Sequence, residues 1–175
     1  MMKYLTMAAA VVGAVYAGAG PAMAGDNFGA RLRGLEEATP NAIATVGQGF
    51  LNMTLNDAET QLDYQLFYRD LESNVTQAHI HFGMPSTAGG VVLFFCSNLA
   101  PPAGVPLPPA CPNGSGFQAV TGSLTAANVG AGAAGQGIAA GEFAKIVRAL
   151  KSGATYANVH TVTFGSGEIR GQITR

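Results

Sequence analysis

Leu62, Tyr64, Leu66 and Tyr68 alternate with Asp63, Gln65, Phe67 and Arg69, and Leu51, Met53 and Leu55 alternate with Asn52 and Thr54. Side chains two apart share a face of an extended chain, so both runs predict strands with one buried face. Ala78, Ile80 and Phe82 stand in the same relation to Gln77, His79 and His81, which aims the two histidines away from the core, either outward or into a groove under a loop. Val91 to Phe95 is continuously apolar and reads as a strand buried on both faces or inside a sandwich. Tyr156 to Phe164 and Glu168 to Thr174 are two further strands, and Gly165-Ser166-Gly167 between them signals a hairpin. Folding about residue 165 would set Arg170 opposite His160.

One segment changes period. Phe143, Ile146, Val147 and Leu150 fall at helical spacing, with Glu142, Lys145, Arg148 and Lys151 on the other side and Gly153 just beyond, which predicts an amphipathic helix with a glycine C-cap. Between Val129 and Gly141 the chain is mostly glycine and alanine and reads as a flexible crossover that adds nothing to the core. Seven or eight short strands with one late helix predict an all-β fold, an antiparallel β-sandwich with Greek-key connections; a closed β-barrel is the alternative.

Composition adds an address. The start reads Met-Met-Lys, then an apolar run from Tyr4 to Gly20, then Pro21-Ala22-Met23-Ala24. These are the three parts of a secretory signal peptide, with cleavage expected after Ala24, so residues 25–175 form a single mature domain, secreted or periplasmic, with no membrane span. In such a compartment the only two cysteines, Cys96 and Cys111, form a disulfide around a loop that holds Pro101, Pro102, Pro106, Pro108 and Pro109. Proline cannot pair with a neighbouring strand, so this loop is expected to protrude as a contact surface. The charged fraction is 11% and the net charge −1, which gives nucleic acid no electrostatic footprint to bind. Asn52, Asn74 and Asn113 head Asn-x-Ser/Thr triplets, which matter only in a host that glycosylates exported proteins.

The run Ala78-His79-Ile80-His81-Phe82-Gly83, then Gly89-Gly90-Val91-Val92, Gly122-Ser123-Leu124-Thr125, Tyr156-Ala157-Asn158-Val159-His160-Thr161 and Gly167-Glu168-Ile169-Arg170-Gly171-Gln172 resembles the CHRD (chordin-domain) family over essentially the whole mature chain. The Pro-rich, Cys-containing loop is closer to its stand-alone bacterial members. That resemblance implies a non-enzymatic binding or structural module with a protein, envelope or matrix partner, and no catalytic residue.

The candidate chemistry lies in the three histidines, His79, His81 and His160, all inside those blocks. Alternate residues of a strand lie about 6.5 to 7 Å apart on one face, close enough for two imidazoles to close on one ion. With His160 as a third ligand the set suits copper or zinc. Glu168 and Arg170 are expected to support it, the carboxylate orienting an imidazole and the guanidinium flanking an anion position. His-x-His plus a later His is also similar in pattern to the copper site of copper/zinc superoxide dismutases, but the histidine-rich zinc loop and a fourth copper histidine are missing, which leaves a redox role as a third option. The competing reading is that the three rings are hydrogen-bonded parts of the sheet.

Overall fold

The computed structural model describes residues 25–38, 41–100, 103–114 and 116–175. The expected signal peptide, residues 1–24, lies outside the described residues. Eight strands, β1 (Asn27–Arg33), β2 (Gln48–Leu55), β3 (Gln61–Arg69), β4 (Val75–Phe82), β5 (Gly90–Ser97), β6 (Gln118–Thr125), β7 (Thr155–Thr161) and β8 (Ile169–Gln172), form one antiparallel sheet in the order β5-β4-β7-β8-β1-β2-β3-β6. The sheet rolls up until its outermost strands approach each other, so descriptions as a sandwich or as a nearly closed barrel both fit. The alternating residues behave as expected. Leu51, Met53 and Leu55 of β2 and Leu62, Tyr64, Leu66 and Tyr68 of β3 are buried inside, and their neighbours face out.

The unbroken apolar run of β5 has a specific cause. Its pairing with β4 slips twice, between Ala78 and His79 and between Ile80 and His81, so at each slip an extra β5 residue faces β4. Such bulges interrupt the period of two. Leu93, Phe95 and Cys96 thereby all reach the core, while Phe94 sits opposite His79 on the outer face.

Between β6 and β7 runs the one α-helix among the described residues, α1 (Phe143–Lys151), with Phe143, Ile146, Val147 and Leu150 buried in the common core as the period predicts. The preceding crossover corrects the sequence reading. Val129, Ala133 and Ile138 are core residues, a short 3₁₀ turn (Ala134–Gln136) shapes the segment and another (Ala126–Asn128) leads into it, and the Gly130 N–H donates to the carbonyl of Val92 at 3.3 Å. Glycine here serves close approach: a Cβ on Gly132 would lie 2.4 Å from the Val91 carbonyl oxygen, and one on Gly90 would lie 2.3 Å from that of Gly132. Crowding of this kind costs roughly 1–3 kcal/mol. Gly132→Ala is therefore expected to lower stability in urea unfolding by about that amount, while Gly135→Ala, with open space around it, leaves the midpoint unchanged. Equal midpoints for the two variants would show the segment to be loose.

Cys96 and Cys111 are joined as expected. The loop they close is pinned at its base, where Asn98 accepts from the Cys111 N–H and donates to the carbonyls of Cys111 and Val75. It protrudes only in part. Leu99 and Leu107 are exposed, but Val105 to Pro109 form one wall of a cleft whose other walls are Thr121 to Leu124 of β6, Tyr64 and Phe94. Tyr64 of β3, the neighbour of outermost β6, reaches the opposite edge of the sheet by donating its hydroxyl to the Phe95 carbonyl of β5 at 2.6 Å. No described helix is long and apolar enough to cross a membrane.

Candidate metal centre

The face of β4 turned away from the core carries Gln77, His79 and His81, and the paired face of β7 carries His160, Asn158 and Tyr156 opposite them in that order. Outward residues would ordinarily be wet, yet His79 is 3% exposed, His81 8% and Asn158 4%, while His160 is half-buried. Backbone oxygens of two loop segments close over the imidazoles and leave ring nitrogens bonded to them. Gly89, just before β5, accepts from His81 Nδ1 at 2.9 Å, and Gly165, in the β7–β8 turn, accepts from His160 Nδ1 at 3.0 Å. The Gln77 amide oxygen takes the same part for His79 Nε2, at 2.9 Å.

These bonds set the tautomers. Carbonyl and amide oxygens only accept, so the bonded nitrogen of each ring carries its proton and the other presents a lone pair. The lone pairs belong to His79 Nδ1, His81 Nε2 and His160 Nε2. The first two are 3.2 Å apart, and the three rings each offer a ligand atom within 4.8 Å of the others. His160 Nε2 is buried with no hydrogen-bond partner among the described residues. Protonation would relieve the repulsion between facing lone pairs, but burial opposes it. Desolvation, helped by His160 and His81, holds His79 well below the usual imidazole range. Burial likewise brings His81 down to about 4 against the opposing bond to Gly89, and it lowers His160.

The rings are also held by their faces. Phe94 meets His79 edge-on with centroids 4.8 Å apart, and Tyr156 stacks parallel on His81 at 4.7 Å. The Tyr156 hydroxyl accepts the Gly89 N–H, so one residue, Gly89, fixes both members of that stack through its N–H and its carbonyl. Arg170 lies on the far side, its guanidinium carbon 3.4 Å from the Tyr156 ring centroid and its Nη2 donating to the Met84 carbonyl. Arg170 thus stands one ring away from the imidazoles. It pairs with Asn158 in the sheet rather than with His160, because the chain already turns at Thr161 and the hairpin register is displaced by two residues from one centred on residue 165.

Glu168 does not serve the histidines. Its carboxylate accepts from Thr45 Oγ1, the Glu72 N–H and Thr161 Oγ1, tying the loops before β2 and β4 to the end of β7. It lies before β8 begins, so the alternation that places Arg170 does not govern it, and carbonyl oxygens take the orienting part expected of it. A second carboxylate is closer to the patch. Glu37 accepts from Asn158 Nδ2 at 3.2 Å, and burial raises it to about 7 despite that bond and the charge of Arg170. Gly167, at φ +128°, closes this corner: a Cβ there would come within 2.6 Å of Glu37 Oε1. Tyr156 and Gly89 belonged to the sequence blocks without a role, and Glu37 had no signal because it lies in an irregular segment far from them in sequence.

Fold and patch together define a disulfide-bonded antiparallel β-domain that carries a buried histidine cluster on the outer side of its sheet. The family model of the CHRD domain matches residues 28–173, and the chain belongs to that family. No curated protein and no solved structure matches it.

Proposed function

We propose that this CHRD domain is a non-enzymatic binding module whose ligand is one copper or zinc ion, held by His79 Nδ1, His81 Nε2 and His160 Nε2 in an exported protein. The observation that carries the reading is the convergence of three lone pairs whose partner nitrogens are all committed to oxygen acceptors. Metal-ligating histidines characteristically donate their other N–H to a carbonyl or carboxylate, which fixes the tautomer and the ring plane. Here Gly89, Gly165 and Gln77 supply those acceptors. The orphaned His160 Nε2 favours a ligand over a network of hydrogen bonds confined to the sheet, which would leave that nitrogen unpaired. The signal-like start and the disulfide support an oxidising destination.

Calorimetric titration of residues 25–175 with Cu(II) and Zn(II), beside a His79→Ala/His81→Ala double variant, tests it. One equivalent bound by the parent and none by the variant is the expected result. Equal binding by both, or none by either at micromolar protein, would reduce the cluster to a structural one. Protons compete with metal for imidazole. Because burial lowers all three rings, binding should hold through pH 6.5 and weaken only below it.

A further inference from the structure

The site holds more information than its three nitrogens, because its surroundings select for charge. Resting on the metal-site reading above, we infer that the ion the pocket is built for is monovalent copper. The ligands are three neutral imidazoles, and the cluster includes no carboxylate or thiolate. Neither nearby acidic side chain supplies a ligand: Glu168 is bonded to Thr45, Thr161 and the Glu72 N–H, and Glu37, bonded to Asn158 and within reach of the charge of Arg170, is kept protonated toward neutral pH by burial. The one formal charge stacked against the site is positive. Arg170 is 3% exposed, is separated from His81 only by the Tyr156 ring, and makes no ion pair among the described residues.

Both features penalise a divalent ion more than a monovalent one. The cost of transferring an ion from water into a poorly polarisable site grows with the square of its charge, and anionic ligands normally offset it. A divalent ion keeps its full charge on three imidazoles, and Arg170 repels it twice as strongly as it repels Cu(I). Coordination number points the same way. Zinc completes a tetrahedron, with water in the fourth place when the protein gives three ligands, whereas Cu(I), with a filled d shell, is satisfied by three nitrogens in a plane. At metal–nitrogen bonds of about 2.0 Å, such a plane sets the nitrogens about 3.5 Å apart. His79 Nδ1 and His81 Nε2 are already at 3.2 Å, and each of the three rings offers a nitrogen within 4.8 Å of the others, so closure asks for a shift of about an ångström.

The test is a pair of competition titrations on residues 25–175. Cu(I), kept reduced by ascorbate without oxygen so that the disulfide survives, competes against bicinchoninate; Zn(II) competes against a chromophoric chelator. The expected result is Cu(I) bound at least about a thousandfold more tightly than Zn(II). Arg170→Gln should narrow that ratio roughly tenfold, chiefly by strengthening Zn(II), and Arg170→Lys should keep the parent's ratio. Zn(II) bound as tightly as Cu(I) by the parent would overturn the inference and leave the site standing. A ratio identical in the parent and Arg170→Gln would overturn the assignment of charge selection to Arg170. Binding of both ions unaffected in the His79→Ala/His81→Ala variant would overturn the site itself.

Discussion

Ile146→Asp should lower the melting temperature of this domain by roughly 15 °C. Ile146 is fully buried at the centre of the stripe that α1 presents to the core. Removing it forfeits about 2–3 kcal/mol of buried apolar surface. Placing a carboxyl group there without a partner costs about 1–3 kcal/mol more even when it is protonated. A total near 5 kcal/mol is a large share of the usual 5–15 kcal/mol of a domain, and at this size each kcal/mol is worth about 2–4 °C. Ala144→Asp, exposed on the same helix, should melt with the parent. Coincident curves for Ile146→Asp and the parent would mean that the stripe is free to meet a partner.

The second large effect is a pH dependence with two opposed parts in the metal-free protein. His81 titrates near 4 when folded and near 6.5 when unfolded. Between those values the unfolded chain binds more protons, so stability is lost as pH falls through that window, about 3 kcal/mol in all. His79 and His160, also lowered, act in the same sense. Glu37 acts in reverse. Its carboxyl is raised from 4.5 to about 7 in the fold, so its contribution is complete below 4.5 and is lost as pH rises through 7, again about 3 kcal/mol. The two partly cancel between pH 7 and 4.5, which flattens the parent's profile. Glu37→Gln removes one side of the balance. The variant should be the more stable protein at pH 8 and should fall the more steeply toward pH 4 in urea unfolding. Profiles of equal slope between pH 7 and 4.5 would rule out a buried, proton-binding Glu37.

The strands and the helix were legible because their signals are local: the alternation in Leu62 to Arg69 and the spacing of Phe143, Ile146, Val147 and Leu150 follow from backbone geometry alone. The grouping of His79, His81 and His160 was legible for a related reason, since a His-x-His strand and the strand beside it must share a face. What could not be read is what covers that face. The burial of the histidines depends on the segment ending at Gly89 and on the turn at Gly165, whose paths are set by tertiary packing. Alternation puts Glu168 on the face of Arg170, but it stands one residue before β8, outside the pairing that fixes that face. The glycine-rich crossover departs from its sequence pattern for a different reason. Few bulky side chains suggest a loose segment, yet the absence of Cβ atoms is what lets Gly130 and Gly132 lie against β5.

The way the outermost strands are finished bears on how such a chain stays dispersed. Sheet edges with free N–H and C=O groups recruit other strands, and proteins usually deter this with surface charge. This chain has little, only 11% charged residues beside 48% hydrophobic ones. The backbone beside these edges is poor in free N–H groups: Gly130 is bonded to Val92 of β5 and Gly132 lies against Val91, while a run containing Pro106, Pro108 and Pro109 lines one cleft with β6. Proline offers no N–H to an incoming strand. The Cys96–Cys111 disulfide anchors the base of that run, so its reduction is expected to free the outer side of β6 and let copies associate, which light scattering of the reduced beside the oxidised protein would show.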